Sequence, residues 1–236
     1  MQKGFYAMRY TTVLLDADDT LFDFQLAEHE AIKSVLLRFG LPCEDSVIKS
    51  YSEINLSLWK LLELGKIQKS ELKVRRFEIF CERMGFDVDA KEMAIAYMDA
   101  LSNQNHLKEG ALELCDKLYG KCRLCIITNG IKSIQTKRFS TSPIAKYFDK
   151  IFISEELGYD KPSVEFFRLV EQALADFDKE KTIVVGDSLT SDIKGGIGYG
   201  LDTCWFNPHG NKSPDNMNIT YTVDSLEKIY DIVNAE

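Results

Sequence analysis

Four short polar signals in this chain could do chemistry together. They are Asp16-Ala17-Asp18-Asp19-Thr20, Thr128-Asn129-Gly130, Lys161-Pro162, and Gly186-Asp187 with Asp192 five residues on. Each alone has an ordinary explanation. An Asp cluster is commonly a solvated loop, and Thr-Asn-Gly a turn or helix cap. Lys-Pro is a common helix entrance, and an Asp such as Asp192 favours a helix N-terminus. What sets the four apart is where they fall relative to the apolar runs.

Five short runs rich in Val, Ile, Leu or Thr read as strands: Thr11–Leu15, Arg123–Thr128, Lys150–Ser154, Thr182–Gly186 and Thr203–Asn207. They do not alternate cleanly, as expected of parallel strands buried on both faces. Helical patterns lie between them at Gly110–Tyr119, Ile131–Phe139, Pro162–Ala175 and Ser191–Tyr199, with Pro162 suited to a first helical turn. The class is therefore α/β, with a doubly wound, mostly parallel sheet and right-handed crossovers. Residues 23–106 are helical almost throughout. Leu26, Ala31, Val35 and Phe39 share one face, as do Val47, Tyr51, Ile54, Leu58 and Leu61. Gly40, Gly65 and Gly85 follow helical stretches, where a left-handed stop is expected. This block is too long for a crossover and reads as an inserted α-helical domain. The expected division is a core of 1–22 and 107–236, interrupted by a helical domain at 23–106.

Parallel strands present all their carboxyl ends on one edge, so the four signals converge on one crevice. Asp16, Asp18, Asp187 and Asp192 bring up to four negative charges there. Two like charges ~4 Å apart repel by about 4 kcal/mol at an effective dielectric of 20. Such a cluster needs a cation, a shared proton, or both. Carboxylate oxygens without His or Cys select Mg²⁺. With Mg²⁺, Lys161 and a proton on Asp18 the site is neutral and accepts a phosphate dianion.

The set, in this order along the whole chain, resembles the haloacid dehalogenase (HAD) superfamily of phosphotransferases. The resemblance implies a Rossmann-like core with an inserted helical cap. It implies Asp16 as nucleophile, forming an aspartyl-phosphate, and Asp18 as the acid and then base. Thr128, with Asn129, and Lys161 would hold the phosphoryl group. Asp187 would ligate Mg²⁺ with the Asp16 carboxylate and the Asp18 backbone carbonyl. Asp192 would hold a metal-bound water or orient Lys161. Dehalogenases of the superfamily lack an acid two residues after the nucleophile, so Asp18 argues against that reaction. Asp19 departs from the pattern, since many members carry Gly there; it reads as a turn variant.

Asp16–Phe22, Ile127–Gly130, Ser154–Gly158 and Thr203–Asn207 are similar to the YjjG-type pyrimidine 5′-nucleotidases. That implies a Mg²⁺-dependent phosphomonoester hydrolase acting on (deoxy)pyrimidine nucleoside monophosphates. Alternatives are a phosphatase of phosphoglycolate or a sugar phosphate, a phosphoglucomutase-like transferase, and a catalytically silent binding module. Phe24, Tyr51, Trp59, Phe77 and Phe80 could stack a base, although their helical spacing reads as core.

The net charge of −8 disfavours a nucleic acid polymer or an anionic membrane as partner. No apolar run is long enough to span a bilayer, and Met1–Tyr10 shows no signal peptide. Six cysteines scattered through apolar segments point to a reducing cytoplasm. Cys122 and Cys125 read as two core thiols rather than a metal pair, because residues three apart on a strand face opposite ways.

Overall fold

The computed structural model describes residues 8–235; most of the stretch searched for a signal peptide lies outside them. Among the described residues no helix is long and apolar enough to cross a membrane. The chain divides into two units. One holds the residues up to Asp23, Leu107–Lys132 and those from Thr141 on. The other holds Phe24–His106 together with Ser133–Ser140.

In chain order the elements are β1 (Thr12–Leu15), α1 (Phe24–Arg38), α2 (Asp45–Glu63), α3 (Lys69–Met84), α4 (Ala90–Ser102), α5 (Ala111–Leu118) and β2 (Arg123–Thr128). There follow α6 (Lys132–Thr141), β3 (Lys150–Ile153), α7 (Ser154–Leu157), α8 (Val164–Ala173), β4 (Thr182–Gly186), α9 (Lys194–Tyr199), β5 (Asp202–Phe206), β6 (Tyr221–Val223) and α10 (Glu227–Asn234). The sheet runs β3-β2-β1-β4-β5-β6, and every neighbouring pair is parallel. The strand order reverses between β1 and β4, and in such sheets the crevice beyond that point takes the ligand.

All residues of β1 and β4 are buried, which is why their sequences are apolar without alternation. On one face, Leu14, Ile127 and Val184 pack in a cluster with Phe166, Phe167 and Val170 of α8. Burying each such side chain contributes roughly 1.5–3 kcal/mol. Pro162 is not in the first turn of α8. Ser163 caps the helix, its hydroxyl accepting from the Glu165 N–H at 3.3 Å, and Pro162 stands just outside.

The helical unit is built from α1–α4 with most of α6. Gly40, Gly65 and Gly85 follow the ends of α1, α2 and α3 with φ of 66°, 67° and 68°, the left-handed stop the sequence suggests. Asp89 caps α4 by accepting from the Lys91 N–H at 2.7 Å. Tyr51, Phe77, Phe80 and Tyr97 are buried in its interior, and Tyr51 lies 5.2–5.5 Å from the other three rings, centroid to centroid. One expectation fails in α1: Leu26 is exposed, and the buried stripe instead runs through Ala27, Ala31, Ile32, Val35 and Leu36.

Candidate active site

Asp16 directly follows β1, and its N–H donates to the Val185 carbonyl of β4 at 2.9 Å. Thr128 is the last residue of β2, and Gly186 is the last of β4. Lys161 lies beyond β3 and α7 and is almost wholly buried, as are Asp192 and Thr128. The Lys161 ammonium donates to Asp16 Oδ1 at 2.7 Å, to Asp192 Oδ1 at 2.6 Å and to the Ile127 carbonyl at 2.7 Å. An ammonium has three protons, so Lys161 is saturated. One side chain thus ties together the ends of β1, β2 and the turn after β4.

Lys161 is itself held by Asn129. The Asn129 amide donates to the Lys161 carbonyl at 2.9 Å and accepts from its N–H at 2.8 Å. Both ends of the Asn129 side chain are therefore engaged with backbone. The Thr128 hydroxyl accepts from the Gly130 N–H at 3.0 Å, tightening the turn at the end of β2.

Asp16, Asp187 and Asp192 each offer a carboxylate oxygen within 4.8 Å of the others. The donors are all carboxylate oxygens, the chemistry that Mg²⁺ takes. Asp192 has both oxygens engaged: Oδ1 with Lys161, Oδ2 accepting from the Ser188 N–H at 3.1 Å. Gly186 is required here, because a Cβ at that position would lie 2.3 Å from Asp192 Oδ2. Asp18 is half-buried in the same loop as Asp16, outside the carboxylate triad.

Burial pushes the Asp16 carboxyl well above the usual range; Lys161 opposes the shift, and Asp192 and Asp187 add to it. Burial, then Asp192 and Asp19, push Asp187 up to about 7. Burial would lower the Lys161 pKa, but Asp16 and Asp192 outweigh it and hold the ammonium charged. Three carboxyl groups thus share one buried ammonium, and the raised pKa values of Asp16 and Asp187 show that ionising all of them needs further positive charge, which a bound cation would supply.

Two further residues, Thr20 and Trp205, position Asp187. The Thr20 hydroxyl accepts from the Asp187 N–H at 3.1 Å and donates to Asp187 Oδ1 at 3.2 Å. The Trp205 indole donates to the Asp187 carbonyl at 2.8 Å. Thr20 stands inside the Asp16–Thr20 motif, so its spacing was a usable clue. Trp205 lies on β5, where only the sheet order brings it to Asp187.

Three carboxylates and a lysine gathered at the strand ends of a parallel sheet make a site for a divalent cation. Residues 10–200 match the model of the haloacid dehalogenase-like hydrolases, and the chain belongs to that family. It is 39% identical to the pyrimidine 5′-nucleotidase PynA of Streptococcus pneumoniae, over 96% of both chains. It is 31% identical to the pyrimidine 5′-nucleotidase YjjG of Escherichia coli, over 94% of this chain and 97% of that one. The solved structure of the HAD-hydrolase YfnB from Bacillus subtilis, bound to magnesium, matches with a TM-score of 0.90 at 37% identity, covering 96% and 99% of the two chains.

Proposed function

We propose that this enzyme is a Mg²⁺-dependent phosphomonoester hydrolase, and that its substrates are (deoxy)pyrimidine nucleoside 5′-monophosphates. The observation that carries the chemistry is the Lys161 ammonium held between the buried carboxylates of Asp16 and Asp192, beside Asp187. The nucleotide preference draws its support from the two relatives named as pyrimidine 5′-nucleotidases. Residues 23–106 are the family's cap domain in this reading, and six free cysteines suit a reducing cytoplasm.

Asp16 attacks phosphorus in line, forming an O–P bond as the ester P–O bond breaks. Asp18 gives its proton to the departing alkoxide and then takes one from the water that cleaves the aspartyl-phosphate. The Thr128 hydroxyl, which accepts from the Gly130 N–H, donates its proton to a phosphoryl oxygen, and Asn129 keeps Lys161 in register. Asp16, Asp187 and the Asp18 carbonyl would hold Mg²⁺, which supplies positive charge against the transferring group.

The metal assignment has a readout independent of turnover. Saturation at 100 times Kd stabilises a protein by about 2.7 kcal/mol, or roughly 5–10 °C in Tm for a chain of this size. Thermal melts with Mg²⁺ and with EDTA should differ by that much in the wild type and hardly at all in Asp187→Ala. Equal shifts in the two proteins would remove Asp187 from the ligand set.

For the substrate, kcat/KM is compared across dUMP, dTMP, UMP, AMP, phosphoglycolate, glucose 6-phosphate and p-nitrophenyl phosphate. Pyrimidine nucleotides should lead by at least about tenfold, the discrimination a single pocket contact provides. Preference for a sugar phosphate or phosphoglycolate would replace the substrate while keeping the reaction. No turnover of any ester, with or without Mg²⁺, would leave only a silent binding module.

A further inference from the structure

The turn between Asp16 and Thr20 is strained at one residue. Asp19 has φ of 61°, a left-handed conformation that a side chain disfavours by about 1–2 kcal/mol. A glycine would sit there without strain; the aspartate instead brings a carboxylate whose contacts can hold the turn. Its backbone N–H donates to the Phe22 carbonyl at 2.8 Å. Its buried Oδ1 has no hydrogen bond of good geometry, and its one ion-pair partner among the described residues is the ammonium of Lys108, 3.3 Å away.

Lys108 is placed by the chain's own crossings. The chain leaves the sheet unit at Asp23 and returns at Leu107. Phe22 and Leu107 form an antiparallel bridge, and the Lys108 N–H donates to the Leu21 carbonyl at 2.8 Å. The same ammonium lies 3.5 Å from Asp23 Oδ1. The Lys108 side chain is 21% exposed and those of Asp19 and Asp23 are 26% and 33% exposed, so the pairs are partly sheltered from solvent. One lysine thus links the crossings at Asp23 and Leu107 to the turn carrying Asp16, Asp18 and Thr20. A shift at Asp19 reaches Asp18 on one side and Thr20, which holds Asp187, on the other.

We infer that Lys108 is a positioning residue for the reaction: by holding the strained Asp19 carboxylate it fixes the turn that aims Asp18 at the leaving oxygen. This rests on the phosphohydrolase reading above. The role has a signature that loss of stability does not share. An alkyl phosphate needs its departing oxygen protonated, whereas p-nitrophenyl phosphate leaves as a stabilised phenolate and needs little help. Misplacing the acid should therefore slow the first much more than the second.

The test measures kcat/KM, which reports transfer to Asp16 and not the hydrolysis of the aspartyl-phosphate common to both esters, on UMP or β-glycerol phosphate, whichever the wild type turns over, and on p-nitrophenyl phosphate, with Mg²⁺ saturating. Lys108→Met should lose roughly tenfold or more on the alkyl ester, part of the 10²–10⁴ an aligned acid contributes, and less than about threefold on p-nitrophenyl phosphate. Lys108→Arg should recover most of the loss, which guards against a simple folding defect. In an Asp19→Gly background, free of both the strain and the charge, Lys108→Met should cost nothing further on either ester. Equal losses on both esters, or the same alkyl-ester loss with and without Asp19, would overturn the positioning role. A wild type inactive on both esters would instead count against the phosphohydrolase reading.

Discussion

Asp16→Asn loses phosphate-ester turnover by at least about 10⁴-fold, the scale seen when a covalent nucleophile is removed. The amide has nearly the carboxylate's shape but cannot form the acyl-phosphate, so the effect is chemical. The backbone of residue 16 keeps its bond to the Val185 carbonyl, and Asn Oδ1 still accepts from Lys161. The fold should hold. Indeed, the wild-type carboxylate is buried close to two other acids, and burial disfavours its charge. Removing one negative charge relieves that repulsion, so the Tm measured in EDTA should be no lower than that of the wild type. Loss of turnover with an intact melt assigns the role; turnover within tenfold of the wild type would move the nucleophile elsewhere.

The parts of this molecule legible in the sequence are those where composition and position agree. Buried parallel strands leave dense apolar runs, and their carboxyl ends were marked by Asp16, Thr128 and Gly186-Asp187. The topology then does the assembly, since β1 and β4 are neighbours at the reversal of strand order. β6 was not legible because it has three residues and pairs only at the sheet edge, so little apolar pattern is needed. Leu26 was misplaced because an apolar residue at the right spacing carries no sign of which neighbouring stripe is buried. Residues 133–140 carry a helical pattern whichever unit they join, and periodicity cannot say that they group with 24–106. The contacts of Asn129, Trp205 and Lys108 share another reason. Each acts through backbone or through a second side chain distant in sequence, so residue type and local spacing carry no trace of them. Asp19 is intermediate: its place in the motif marked it as unusual, but only its positive φ says why a glycine would be at home there.

Lys161→Met should be the most damaging change to stability at this site. Methionine keeps the apolar stem but removes a charge that satisfies two carboxylates and the Ile127 carbonyl. Breaking a buried ion pair by removing one partner costs about 3–5 kcal/mol, or roughly 6–20 °C in Tm for a domain of this size. Asp192 is wholly buried and would keep only the hydrogen bond from the Ser188 N–H. Two further measurements separate charge balance from chemistry. Adding Mg²⁺ should recover part of the lost Tm, since the ion restores positive charge beside Asp16 and Asp187. Adding Asp192→Asn to Lys161→Met should recover part of it even in EDTA, because the stranded carboxylate is gone. Neither should restore turnover, which is expected to stay down by about 10²–10³-fold for want of the positive charge that offsets the Asp16 nucleophile and the transferring group. Should the single variant melt with the wild type, Lys161 would not be the counter-ion that keeps the carboxylates of β1 and the β4 turn together; should the double variant melt no higher than the single, the lost stability would lie in packing rather than in uncompensated charge.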